Sequence, residues 1–220
     1  MTEKLVTGLD KLHLQLSEKQ TEQLEAYISE VLEFNKGYNL MKAGDADELA
    51  VSHILDSLVA VPHIRELIAK RCGEKNAEVL EIADIGSGGG CPGIPLSIVF
   101  PEHNFTLVER MEKRCGFLIS VVKKLKLDNV KVDCRAADTV KAESFDIEVF
   151  RAFHPFDLKI TNLLLRMLQK GGYLAAYKAR EEKILAEMES IKLIVKDYEK
   201  IKMTVPFMED HERHLVVIKK

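Results

Sequence analysis

The run Asp84-Ile-Gly-Ser-Gly-Gly-Gly90, continued by Cys91-Pro92-Gly93, holds the clearest chemistry in the chain. Glycines let a backbone turn tightly and approach a ligand where any side chain would collide. A carboxylate, Glu109, stands 21 residues beyond Gly88. An acid at that remove can accept hydrogen bonds from both ribose hydroxyls of a nucleoside. A Walker phosphate loop is excluded, because no Gly-Lys-Ser/Thr follows the glycines.

Both groups need strands to hold them. Val79 to Ile85 reads as a short apolar strand running straight into the glycines, with an apolar helix from Ile94 to Phe100 behind them. A strand at Phe105 to Glu109 and a basic amphipathic helix at Glu112 to Leu127 follow. The alternation continues with strands at Val130 to Cys134 and Ile147 to Phe150. A helix at Leu158 to Gln169 then ends at Gly171-Gly172 and returns as the strand Tyr173 to Tyr177. Strand and helix alternating at this pitch mean parallel βαβ units, with ligands at the carboxyl ends of the strands. After a helix at Glu181 to Ile191, segments Leu193 to Val205 and His214 to Lys219 have no helix between them. The last strand is therefore expected antiparallel to its predecessor.

Residues before 77 read helically. Ser17 and Gln20 form an S-x-x-Q cap ahead of Leu24, Tyr27, Ile28, Val31 and Leu32 at helical spacing, and Lys36-Gly37 ends that helix. A second helix starts at Asp45 with the stripe Val51, Ile54, Leu55, Leu58 and Val59. At 100° per residue, His53, Asp56 and Ser57 fall together on its other side. A third helix is expected from Pro62 to Cys72. The reading is thus a helical region, 1–76, ahead of an α/β domain, 77–220, with a mostly parallel seven-stranded Rossmann-like sheet.

Two cofactors satisfy the glycine pattern. Gly88-x-Gly90-x-x-Gly93 matches a dinucleotide fingerprint, so NAD(P) and an oxidoreductase stay open, as does a nucleotide-binding regulator without turnover. S-adenosyl-L-methionine needs the same ribose acid but has no pyrophosphate to place. It is favoured because Pro92 removes a backbone N–H from the loop, because the chain is short for a separate dehydrogenase substrate domain, and because the last strand is antiparallel.

The chain has 220 residues, 46% hydrophobic and 30% charged, with 12 Gly and 6 Pro, which excludes disorder and collagen-like repeats. The net charge of −3 gives no overall field for nucleic acid, so an RNA partner needs a local patch. Arg110, Lys113, Arg114, Lys123, Lys124 and Lys126 supply one, Lys178, Arg180 and Lys183 another. No apolar run nears the roughly 20 residues of a membrane helix, and the first residues lack a secretory pattern, so a cytoplasmic protein without membrane contact is expected. Cys72, Cys91, Cys115 and Cys134 form no close pairs, and they read as reduced thiols rather than a zinc or redox site. His211 and His214 lack partner ligands, so no metal is expected.

Several runs resemble one family in particular. Tyr38-Asn-Leu40, His53-Ile-Leu-Asp-Ser57, the glycine loop through Gly93-Ile-Pro-Leu96, Lys113-Arg114 with Phe117-Leu118, Arg151-Ala-Phe153 and Arg213-His-Leu-Val-Val-Ile218 are similar to the glucose-inhibited division protein B family. These are bacterial guanine-N7 methyltransferases of small-subunit ribosomal RNA with a class I methyltransferase fold. Met41 replaces the usual Thr, and Glu109 replaces the more common Asp.

The resemblance implies S-adenosyl-L-methionine as cofactor and 16S ribosomal RNA or the small subunit as partner, with a monomer expected. Its cofactor contacts would be Gly86, Cys91, Ala136, Ala137 and Arg151, beside Asp84, Gly88 and Glu109 from the loop reading; Asp138 could accept from the adenine amino group. Guanine N7 offers an in-plane lone pair, so attack on a methyl donor requires no general base. Catalysis then consists of positioning, with Lys178, Arg151, His53 and Asn39 as the candidate residues around the acceptor base.

Overall fold

The computed structural model describes residues 2–220. A helix absent from the sequence expectations, α1 (Glu3–Lys11), comes first and buries Leu5 and Leu9. In α2 (Glu18–Asn35) the expected cap closes in both directions. The Ser17 hydroxyl accepts from the Gln20 N–H at 3.3 Å, and the Gln20 side chain accepts from the Ser17 N–H at 2.9 Å. Its stripe of Leu24, Tyr27, Ile28 and Val31 is buried.

The next helix starts at Asp45 as read, but it is not uniformly α. It runs α3 (Ala46–Leu49), one π-helical stretch (Ala50–Leu55) and α4 (Asp56–Leu58). A π turn takes in one more residue than an α turn, so residues after it sit about 100° away from an unbroken α register. Val51, Ile54, Leu55, Leu58 and Val59 are buried as expected. Asp56 and Ser57 are buried too, at 4% and 0% exposure. The polar side of this helix therefore faces the end of the sheet. Helix α5 (Val61–Lys75) carries Pro62 in its first turn and ends on left-handed Asn76.

Among the described residues, seven strands form one sheet in the order β3-β2-β1-β4-β5-β7-β6. These are β1 (Glu81–Ile85), β2 (Asn104–Val108), β3 (Val130–Asp133), β4 (Phe145–Arg151), β5 (Leu168–Lys178), β6 (Glu199–Met203) and β7 (Arg213–Lys219). The pairs among β1 to β5 are parallel, while β7 is antiparallel to both β5 and β6. The last strand is thus inserted inside the sheet, antiparallel to its predecessor as its missing crossover demanded. Most bounds shift by a few residues, and two differ in kind from the sequence reading. Gly171 and Gly172 lie within β5, which already begins at Leu168, and the segment before β7 is extended only over β6.

Helices α6 (Gly93–Val99), α7 (Glu112–Lys124), α8 (Leu158–Met167) and α9 (Glu181–Ser190) complete the layers. One core joins Leu24, Val31 and Ile64 from the helical region to Ile98, Phe117, Ile82 and Leu107, so residues before 77 cover one face of the sheet. The other face packs Ala83, Phe150 and Leu174 under Leu164, Met167, Ile184 and Met188. The Gln20 and Gln23 amides also donate to the Ile98 and Leu125 carbonyls, at 2.7 and 2.9 Å. Among the described residues no helix is long and apolar enough to cross a membrane. Registry brings the ends of β1, β2, β3 and β4 together, with Ile85 beside Val108, Val108 beside Asp133 and Asp84 beside Val149.

Candidate functional site: a glycine loop beside an arginine-lined cavity

The loop after β1 is held mainly through its backbone, with the Ser87 hydroxyl as its own side-chain tie. The Gly86 and Ser87 N–H groups donate to the Val108 carbonyl at 2.9 and 3.0 Å, tying the loop to β2. Gly86, Gly88 and Gly90 have φ of +70°, +61° and +105°, where a side chain costs strain. Asp84 is 1% exposed; one carboxylate oxygen accepts from the Ser87 hydroxyl at 2.8 Å and the Gly93 N–H at 2.9 Å. Its other oxygen, Oδ1, is buried with no partner among the described residues. Burial raises this carboxyl to about 6.

The helical region reaches into the same loop. Tyr27, fully buried in α2, donates its hydroxyl to the Gly89 carbonyl at 2.6 Å and lies 3.4 Å from the Cys91 sulfur. A Cβ on Gly89 would meet the Met41 sulfur at 2.5 Å. Leu40 and Met41 thus roof the loop, and Asn39 is exposed on the turn leading to them. Cys91 is buried, which pushes its thiol up.

Glu109 follows β2 and is 4% exposed. Its Oε2 accepts from the Gly88 N–H at 2.9 Å, and its Oε1 accepts from the Arg110 and Met111 N–H groups, each at 2.8 Å. The Arg114 guanidinium is 3.8 Å away. Of the roughly four lone-pair directions on a carboxylate, the three N–H donors leave one, on Oε2, for a hydroxyl donor. Ala136 and Ala137, half-buried after β3, and exposed Asp138 lie at the next strand end, where a short 3₁₀ turn (Ala137–Thr139) begins. The structure therefore brings Asp84, Gly86, Gly88, Cys91 and Glu109 together around one loop, with residues 136–138 one strand further along the edge.

Arg151 ends β4 beside that cluster. Its Nη1 donates to the Ser52 carbonyl at 3.1 Å and to Asp56 Oδ2 at 2.7 Å, and its Nη2 donates to His53 Nδ1 at 2.8 Å. Asp56 Oδ1 accepts from Arg213 Nε of β7 at 2.8 Å. A cavity of about 520 Å³ opens here, lined by His53, Asp56, Phe150, Arg151, Phe153, Tyr177, Lys178, Glu187 and Arg213 among others. Phe153 is the wall shared with the glycine loop, for a Cβ on Gly86 would lie 2.3 Å from its ring.

Lys178 lines the cavity but is engaged. Its ammonium lies 2.6 Å from Glu187, 4.3 Å from the Phe156 ring centre and 5.7 Å from that of Phe150. The residues that sequence reasoning left without a role are Tyr27, Phe153, Glu187 and Arg213. Phe153 and Arg213 stood inside the runs that carry the family resemblance, so a signal existed for them. Nothing local marks Tyr27 or Glu187. Outside the site, His214 is buried against the Ala179 carbonyl at 2.8 Å, while His211 is exposed. All four cysteines are free thiols.

Comparison with known proteins finds relatives of the whole chain. A family model described as rRNA small subunit methyltransferase G (GidB) matches residues 20–216. The Ribosomal RNA small subunit methyltransferase G of Treponema denticola is 36% identical over 238 residues, covering 98% of this chain and 93% of that protein. The protein of the same name from Klebsiella pneumoniae is 37% identical over 220 residues, covering 100% and 98%. Among solved structures, the human methyltransferase 10 domain containing protein shares the fold, with a TM-score of 0.59 at 12% identity over 89% of this chain and 97% of that one.

Proposed function

Because the chain belongs to the rRNA small subunit methyltransferase G (GidB) family, we propose that it transfers a methyl group from S-adenosyl-L-methionine to N7 of a guanine in 16S ribosomal RNA. The observation that carries this reading is the common wall at Phe153. It sets a nucleoside-shaped loop and a base-sized cavity side by side at the carboxyl edge of the sheet.

The residues fit the cofactor. Asp84 Oδ1 is a buried acceptor without a donor, suited to a cationic amine. The space on the side-chain side of Gly88 is open: among the described residues beyond its chain neighbours, the nearest atom is the Gly86 carbonyl oxygen at 3.8 Å. Glu109 Oε2 would receive a ribose hydroxyl, Ala136 and Ala137 would flank the adenine, and Asp138 would accept from its amino group. When bound, S-adenosyl-L-methionine supplies a methyl group on a sulfonium, activated toward a neutral nucleophile.

The protein's part is orientation. N7 of guanine is already an unprotonated acceptor, so no side chain has to remove a proton. A well-oriented pair of reactants lowers a barrier by up to about 7–11 kcal/mol. Phe153, half-buried among Phe150 and Tyr177, offers flat apolar surface for a base, and Arg151 and Arg213 offer donors for its O6 or an adjoining phosphate. Exposed Arg110 and Lys113, the latter 5.3 Å from the Tyr38 ring, lie beside the loop where an RNA backbone would pass.

The test is methyl transfer from tritiated S-adenosyl-L-methionine to small ribosomal subunits and to naked 16S RNA, followed by borohydride–aniline cleavage to map the base. Label at a single guanine that becomes cleavable is expected. Unlabelled RNA in both forms refutes the reading.

A further inference from the structure

Arginine can only donate hydrogen bonds. The 2.8 Å contact between Arg151 Nη2 and His53 Nδ1 therefore requires Nδ1 to be without a proton. The imidazole proton then sits on Nε2, where it donates to the Lys42 carbonyl at 3.1 Å. The ring is neutral and its tautomer is fixed by two partners. Asp56, 4% exposed, spends one carboxylate oxygen on Arg151 and the other on Arg213.

The count of donors gives these contacts a purpose. A guanidinium has five N–H groups. The Ser52 carbonyl, Asp56 and His53 take three from Arg151, which leaves Nε–H and one Nη2–H. Those two belong to a group that lines the cavity and whose charge is felt at Asp84 and Cys91 of the glycine loop.

We propose that His53 and Asp56 are positioning residues: the acceptor nitrogen of one and the shared carboxylate of the other fix the Arg151 guanidinium so that its two remaining N–H groups meet an oxygen of the bound nucleotide. The nucleotide itself rests on the reading given under Proposed function, while the fixing of Arg151 does not. The π stretch makes the arrangement possible, since it carries Ser52 and His53 and delivers Asp56 directly after it. Protonating His53 would place a second donor against Arg151 and break the set. The groups facing the ring are Arg151 from β4, Asp56 and Glu48 from its own helical run, and the Lys42 carbonyl. Burial and then the Arg151 charge hold His53 below its ordinary value, against the raising effect of the other three.

Two readouts test this. In ¹⁵N-edited NMR of the imidazoles, His53 should show the Nε2–H tautomer and titrate below 6.5, the ordinary value for histidine. In an Arg151→Met variant that titration should move upward, because the neighbouring cation is gone. A Nδ1–H tautomer, or a titration indifferent to Arg151→Met, overturns the proposal. In methyl transfer at pH 8, His53→Asn, whose amide oxygen can replace Nδ1 as acceptor, should stay within about threefold of the parent. His53→Ala and Asp56→Asn should each lose at least tenfold. Equal rates for the Asn and Ala variants at position 53 overturn it as well. Asp84 titrates nearby, so an acid limb in the rate is not itself the readout. A correct tautomer in a protein that labels no RNA would sink the proposed function and leave the positioning intact.

Discussion

Replacing Tyr27 by Phe removes a single oxygen and tests how the helical region supports the cofactor loop. That hydroxyl is fully buried and donates to the Gly89 carbonyl at 2.6 Å, with the Cys91 and Met41 sulfurs 3.4 and 3.8 Å away. The Met41 thioether has no proton to give and the Cys91 thiol is only a weak donor, so the carbonyl would lose its strong partner and face a ring edge. Leaving a buried acceptor unsatisfied costs about 1–3 kcal/mol. At roughly 2–4 °C per kcal/mol for a chain of this size, a mid-range loss of about 2 kcal/mol lowers the Tm by about 4–8 °C. The chain has no Trp, so the melt and the urea transition are followed by far-UV circular dichroism. Part of the loss should appear in the loop itself, as up to about tenfold weaker binding of S-adenosylhomocysteine in calorimetry. Burial holds the Tyr27 phenol well above its ordinary value, so the hydroxyl keeps its proton and the penalty should be the same at pH 6 and pH 9. An unchanged urea midpoint, or a penalty that vanishes at one pH, would refute the idea that this bond braces the loop.

Gly86→Ala should weaken S-adenosylhomocysteine at least tenfold by calorimetry, because φ of +70° disfavours any Cβ and Phe153 lies 2.3 Å from where it would go. Lys178→Ala should retain that affinity and lose most of the methyl transfer, through release of Glu187 and the Phe156 segment; unchanged turnover removes Lys178 from the site. Glu148, in the middle of β4, has both oxygens buried and unpartnered, and burial holds it well above the usual carboxylate value. A carboxyl raised on folding stabilises fully below its unfolded pKa of about 4.3. That contribution is lost as pH rises toward the folded value, at about 1.4 kcal/mol for each pH unit separating the two. The urea midpoint of Glu148→Gln should therefore gain on the parent between pH 4 and pH 8, and a difference that stays constant over that range would contradict it.

Much of this was legible because it is local. Glycines after an apolar strand, an acid ending the next one, and a cap such as Ser17 with Gln20 are written in consecutive residues. What escaped is non-local or breaks a period. Helix α1 is short, with only Leu5 and Leu9 to mark its buried side. Counting 100° per residue set His53 and Asp56 on one side, and both do meet Arg151, but the π stretch between them breaks the α period on which that count rests. The tie from Asp56 to Arg213 joins residues 157 apart, and no pattern in either segment announces the other. Lys178 looked like a free cation at a strand end; its partner Glu187 is displayed on a helix whose rotation only the packing sets.

The strand order also constrains how the molecule assembles. Among the described residues β6 is paired to β7 alone, and β7 is what joins it to β5. Although β6 precedes β7 along the chain, it has no template until β7 has docked. A folding intermediate lacking β7 would thus have β5 as a bare, apolar margin and β6 adrift, and Arg213 could not yet reach Asp56. Pulse-labelled amide exchange should find β1, β2 and β4 protected first and β6 last, so that the anchoring of the cavity is among the final events of folding.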